Sequence, residues 1–289
     1  MDTTTLLQKV RRIEIKTKGL SKHLFSGEYH SAFKGRGMSF SEVRDYTYGD
    51  DVRNIDWNVT ARTGDPHVKV FEEERELTMM LMIDVSASNF FGTHGDLKSN
   101  LYTEISAVLA FSAINNNDKV GLILFSDHVE KFIPPKKGKQ HILLIIRELI
   151  NFEPKKGKTA IGEAIRYFNN VVKKRSICFI LSDFMSDDYE SPLKIAAKRH
   201  DIIGVRMFDW FEVDLPRSGV IRLEDPESGN VHLADLSDKK HRAQLKEHFG
   251  LFSSFYRSVF PKSGADMLPI QTDEPYVKAL LKFFKKRHK

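Results

Sequence analysis

Sulfur and long apolar runs are what this sequence of 289 residues has least of. One cysteine, Cys178, is present, and a single thiol excludes both a disulfide framework and a multi-cysteine zinc or iron–sulfur centre. Its neighbours Ile177, Phe179 and Ile180 read as a strand, so the thiol is expected to serve as a small buried hydrophobe. No stretch reaches the ~18 to 20 apolar residues that cross a bilayer; the best, Leu77 to Ile83 and Ile142 to Ile146, are far shorter. The N-terminus has Asp2, three threonines and then Lys9, Arg11 and Arg12, without a secretory apolar segment, so a cytoplasmic, thiol-reducing location is the expectation. There is no G-x-S-x-G elbow for a serine hydrolase, and the eleven histidines form no H-E-x-x-H pair. On spacing alone, none of them is a metal ligand.

What is present is a folding composition. Hydrophobic residues make up 41% and charged residues 29% of the chain, which excludes disordered and collagen-like classes. Residues 1–75 are punctuated by Gly27, Gly35, Gly37, Gly49 and Gly64 between short aromatic and β-branched stretches, the texture of a β-hairpin segment. From residue 76 the texture changes. Short continuous apolar strands (77–84, 119–126, 176–183, 201–208) alternate with helix-length segments (97–113, 141–151, 159–174, 191–200). That alternation predicts an α/β domain, a doubly wound and mostly parallel sheet of Rossmann-like type covered on both faces. Residues 128–134 follow a strand after one Asp and predict an antiparallel edge strand. An insertion at about 210–265 holds a hairpin turning at 225–230 and an amphipathic helix (237–259); a strand (266–271) and a closing helix from Pro275 follow.

In open α/β sheets, ligands collect beyond the carboxyl ends of the strands. Asp84, Ser86 and Ser88 leave the first strand, Thr159 opens a helix, and Asp183 ends the strand at 176. These are hard oxygen donors, which suit Mg²⁺ (or Mn²⁺) rather than zinc or copper. Two carboxylates balance a divalent ion, and a position left open would welcome a carboxylate from another protein. Each residue also has a structural use: Asp and Ser after strands cap helices, although Gly162 stands where a capping box starting at Thr159 would need Glu.

The D-x-S-x-S pattern followed by Thr and Asp resembles the metal-ion-dependent adhesion site (MIDAS) of von Willebrand factor A domains. That resemblance implies Ser86, Ser88 and Thr159 as direct metal ligands, with Asp84 and Asp183 acting directly or through water. The stretch GRGMSFSEVRDYTYGDDVRNIDWNVTARTGDPHVKVFEEER at 35–75, running into the Asp84 motif, resembles bacterial domain-of-unknown-function family fifty-eight. The family's fold is von Willebrand factor A-like and its genes accompany MoxR-type AAA+ ATPases. The resemblance therefore implies a non-enzymatic, Mg²⁺-dependent protein-binding module, an adaptor or co-chaperone. Its partner would be a MoxR-type ATPase or a client of it, through an acidic side chain and with no small-molecule substrate.

Within 35–75, Asp50, Asp51, Arg53, Asp56, Trp57 and Arg62 form either a partner-docking surface or, as the favoured expectation, an internally salt-bridged hairpin anchored by Trp57. Residues 278–289 carry six cations and no acid, equal to the formal net charge of +6. With Val277, Leu280, Leu281 and Phe284 at helical spacing, this reads as a closing helix with a solvated basic face, or as a basic amphipathic helix for peripheral membrane contact. Two alternatives carry discriminating features. A metal-dependent phosphohydrolase would use Asp84 as nucleophile, but Ser86 stands where a second Asp is needed. Nucleic-acid binding is disfavoured because the cations lack interleaved stacking aromatics.

Overall fold

The computed structural model describes residues 38–73, 77–86, 98–152, 159–209, 219–224 and 231–287. The chain divides into two units, one Phe33–Leu77 and the other containing Thr78–Lys289.

In the smaller unit, β1 (Met38–Asp45) pairs antiparallel with β2 (His67–Glu73). Between them lie a 3-10 turn (Val52–Asn54) and the short helix α1 (Trp57–Thr63). Asp56 caps α1 by accepting from the Asn58 and Val59 amides, and Gly64 ends it at φ 87°, a left-handed conformation that glycine adopts without strain. Of the expected mixed charges, Arg53 pairs with Asp51 at 2.7 Å, while Asp50 and Asp56 pair with cations outside that set, Arg44 at 2.7 Å and Lys69 at 3.6 Å. Within this unit Trp57 is exposed. The ion pairs and caps hold this unit's shape without it.

The larger unit is built on six strands: β3 (Thr78–Asp84), β4 (Lys119–Phe125), β5 (Val129–Lys136), β6 (Ile177–Ser182), β7 (Asp201–Phe208) and β10 (Asp266–Gln271). Their spatial order is β10-β7-β6-β3-β4-β5, parallel throughout except for β5, the antiparallel edge. Strands covered on both faces must be apolar at successive positions, not alternate ones. Met79 to Met82 are accordingly fully buried, as are Leu122 to Phe125 and Cys178 to Leu181. Burial pushes the Cys178 thiol well above its ordinary range, so this thiol is a packing group.

Helices α2 (Lys98–Asn115), α3 (Lys139–Asn151), α4 (Ile161–Val171) and α5 (Glu190–Arg199) connect successive strands. The insertion supplies the hairpin β8 (Val220–Glu224) and β9 (Val231–Asp235) and the long helix α6 (Lys239–Ser263). The turn expected at 225–230 lies outside the described residues. Phe260 of α6 packs so closely on β7 that a Cβ at Gly204 would meet its ring at 2.3 Å. The closing helix α7 (Tyr276–Arg287) buries Tyr276, Leu280 and Phe284. Its apolar side is thus used inside the unit.

The chain goes from β3 to β4 on one side and returns to β6 on the other side of β3. This is the topological switch of a doubly wound sheet, where a crevice opens beyond the strand ends. Asp84 and Ser182 terminate the two strands that flank it.

Candidate functional site

Register brings the strand ends together. Ile83 lies beside Leu181 in the β3–β6 pair, so the next residues, Asp84 and Ser182, emerge side by side. Ser182 Oγ donates to Asp84 Oδ2 at 2.7 Å and accepts from the Phe184 amide at 3.0 Å. The Ser86 amide donates to Asp84 Oδ1 at 3.0 Å. Asp183 Oδ1 accepts from the Met185 amide at 3.2 Å. Asp84 and Asp183 are each 1% exposed, and Ser86 and Ser182 are fully buried.

Two carboxylates at such depth repel one another. Burial first, and the Asp183 charge second, push the Asp84 carboxyl up to about 7, against the hydrogen bonds from Ser182 and Ser86 that hold it down. The Asp84 carboxyl is thereby held against ionisation. Hydroxyl and carboxylate oxygens without sulfur or imidazole are the donor set of a hard divalent cation, and such an ion would relieve the repulsion.

Thr159 arrives at the same edge by a separate route. The Ala160 amide donates to the Ser126 carbonyl at 2.8 Å, which ties the start of α4 to the end of β4, the other neighbour of β3. Thr159 is half-buried there. Of the five residues expected from sequence, the structure brings Asp84, Ser86, Thr159 and Asp183 to one edge; Ser88 lies outside the described residues.

Several partners at this edge escape sequence reasoning. Ser182 was absent from the expected set although it bonds Asp84 directly. Asp188 caps α4 from the β6–α5 loop, its Oδ2 accepting from the Gly162 amide at 2.9 Å. A Cβ at Gly162 would lie 2.5 Å from the Asp188 carbonyl oxygen, which explains glycine where a local capping box wanted Glu. Arg206, buried in β7, donates from Nε to the Asp183 carbonyl at 3.0 Å and from Nη1 to Ser253 Oγ at 2.9 Å. Phe184 takes φ 56°, which a bulky residue adopts only when its surroundings demand it. Its ring is held among Tyr189, Tyr256 and Phe260 at centroid distances of 5.7, 4.9 and 5.2 Å. The kinked backbone keeps Asp183 at the strand end while Phe184 enters the core.

At the rim, His128 lies between Asp127 (Nδ1 to Oδ1, 2.5 Å) and Glu130 (Nε2 to Oε2, 3.4 Å). The three groups are close enough to share an ion. Nδ1 already hydrogen-bonds Asp127, and Glu130 accepts from Ser126 Oγ at 2.9 Å, so these side chains have protein partners.

The strand order, the switch at β3 and the oxygen-lined crevice define a doubly wound α/β domain carrying a candidate ligand edge. The chain belongs to the family described as protein of unknown function DUF58, whose model matches residues 42–249. An uncharacterized protein of Mycobacterium bovis is 27% identical over 296 residues, covering 100% of this chain and 92% of that protein. An uncharacterized protein of Mycobacterium tuberculosis matches to the same extent. Among solved structures, an aerotolerance-related membrane protein of Bacteroides fragilis is similar at 17% identity, with a TM-score of 0.48 over 73% of this chain and 98% of that one. The VWA domain of SpRpn10 is similar at 12% identity and a TM-score of 0.39, over 72% of this chain and 95% of that domain. No helix among the described residues is long and apolar enough to cross a membrane.

Proposed function

We propose that this protein is a non-enzymatic, Mg²⁺-dependent protein-binding module of von Willebrand factor A type. Asp84, Ser86, Ser88, Thr159 and Asp183 would hold the ion, and an acidic side chain of the partner would complete its shell. The observation that supports this most is the pair of buried carboxylates, Asp84 and Asp183, on the two strands flanking the topological switch. Such a pair is costly without a cation and fits a hard divalent one. The ion would supply a positive centre that a carboxylate can reach. The chain's own residues orient that centre: Ser182 and the Ser86 amide fix the Asp84 carboxylate, while Arg206 and the Phe184 kink fix Asp183.

The family resemblance makes a MoxR-type AAA+ ATPase, or a client it remodels, the partner to test. With the purified ATPase immobilised, binding of the full chain should appear with Mg²⁺ or Mn²⁺, vanish in EDTA and be lost in Asp84→Ala. Binding indifferent to both chelator and substitution defeats the metal bridge. Phosphatase turnover that disappears in Asp84→Asn would replace it with the hydrolase alternative.

A further inference from the structure

All the parallel strands start at one edge of the sheet, opposite the Asp84 edge. The register places Thr78 beside Lys119 there and, one residue along, Met79 beside Ile177 and Ile177 beside Asp201; antiparallel β5 returns to this edge, with Lys136 beside Val120. Five of the described segments that reach this edge bring exposed cations, while the turn before β4, Asn116 to Asp118, brings none. Lys136 ends β5, Lys174 and Arg175 precede β6, Lys198 precedes β7, Lys262 precedes β10, and Lys286 lies in the last turn of α7. None of these six is in an ion pair among the described residues.

The acids at the same strand starts are already used or hidden. Asp118 is buried, and Asp201 and Asp266 both pair with Arg287, at 2.5 and 3.1 Å. Arg287 thereby fastens the lysine-rich end of α7 to the first residues of β7 and β10. The opposite edge carries exposed Asp127, Asp187, Asp188, Asp273 and Glu274. Among the described residues, the exposed acids that adjoin strands gather at the Asp84 edge.

We propose that this basic edge docks on an anionic phospholipid surface and so holds the Asp84 edge away from the bilayer. Six strands spaced ~4.8 Å apart spread the cations over ~24 Å, a broad front rather than a pocket. The cations are mostly lysines, compact charges suited to diffuse attraction to a charged plane. No aromatic residue lies within the basic stretches 136–139, 173–175, 198–199 and 285–287, so there is no platform for stacking bases. The apolar side of α7 is buried, so attachment is electrostatic, without helix insertion.

The test is flotation of the full chain with phosphatidylcholine vesicles containing about 30% phosphatidylserine, at about 50 mM NaCl, where screening is weak. Binding should require phosphatidylserine and be released at high salt. Each cation at the surface contributes a factor of about five in partitioning, so Lys174→Gln with Arg175→Gln should cost about 25-fold. Adding Lys262→Gln and Lys286→Gln should abolish binding. Lys239→Gln with Lys240→Gln makes an equal charge change at the other end of α6, ~36 Å away at 1.5 Å per residue. It should change binding less than two-fold. All six substituted residues are exposed, so circular dichroism and melting temperature should not move. Failure to bind phosphatidylserine vesicles at low salt, equal binding to pure phosphatidylcholine, or an equal loss in the α6 control overturns the proposal. So does tighter binding to a DNA duplex that the same variants abolish. None of these readouts involves the metal site.

Discussion

Replacing Asp84 by Asn should stabilise the protein in chelator and remove its response to divalent ions, two effects of opposite sign at one position. In the folded state the Asp84 carboxyl is pushed up to about 7 from an ordinary 3.8. The unfolded chain therefore loses that proton first as pH rises, and stability falls between about pH 4 and pH 7 before levelling off. At ~1.4 kcal/mol per pH unit, the gap sets an upper limit of about 4 kcal/mol lost above pH 7. An Asn keeps an oxygen for the Ser86 amide but offers an N–H to Ser182 Oγ, which leaves the serine hydroxyl proton to find another acceptor, at a cost of ~1 kcal/mol. The net gain in EDTA at pH 8 is up to about 3 kcal/mol, shrinking to nothing or a small loss near pH 4. A divalent ion acts oppositely on the native chain: at ~100-fold excess over its dissociation constant it adds ~2.7 kcal/mol, roughly 5 to 10 °C in melting temperature. The assay is thermal unfolding of both proteins at pH 4 and pH 8, with EDTA and with Mg²⁺. An Asp84→Asn protein no more stable than the native one at pH 8 in EDTA refutes the carboxylate argument; equal Mg²⁺ responses in both refute the metal argument.

His200 should oppose the Asp84 trend, costing stability as pH falls. It is 3% exposed, lies 4.5 Å from the Phe168 ring, and neither ring nitrogen has a hydrogen-bond partner among the described residues. Burial, aided by Arg199 and Arg175, lowers its pKa to about 4 from 6.5. The unfolded chain takes the proton first as pH falls, so stability is lost from about pH 6.5 down to pH 4, by at most ~3 kcal/mol. His200→Phe should abolish this loss in urea titrations at pH 7 and pH 5; an unchanged difference between the two pH values would show that other groups carry it. Gly162→Ala should cost about 1 to 3 kcal/mol, because its Cβ would press on the Asp188 backbone carbonyl. It should also weaken Mg²⁺ binding by displacing Thr159 from the edge, read by calorimetry; unimpaired stability would mean that the two loops part freely.

Much of the larger unit was legible in sequence because its signals are local. A strand covered on both faces has to be apolar at consecutive positions, so 77–84 and 176–183 announce the strands observed as Thr78–Asp84 and Ile177–Ser182. β5, which follows β4 after a tight connection, likewise announces an antiparallel edge. Once the strands alternate with helices, their carboxyl ends share one edge, which is why Asp84, Thr159 and Asp183 could be grouped from spacing alone. The helix beginning at residue 239 runs to Ser263, four residues beyond the expected end, because Pro261 is tolerated in its last turn and Gly264 provides the left-handed stop.

The sequence by itself therefore determined the sheet, its layers and the edge where ligands gather. Only the tertiary structure decided which groups touch there: Ser182 on Asp84, Arg206 on the Asp183 carbonyl, Asp188 on Gly162, and a left-handed Phe184 locked by the ring of Tyr189, just before α5, and by rings from α6. It also decided that Trp57 stays exposed within its unit while the apolar side of α7 is covered. The physical reason is range. Apolar periodicity is fixed by a residue's immediate neighbours, whereas a contact between residues 98 apart, such as Asp84 and Ser182, exists only once strand register has aligned them.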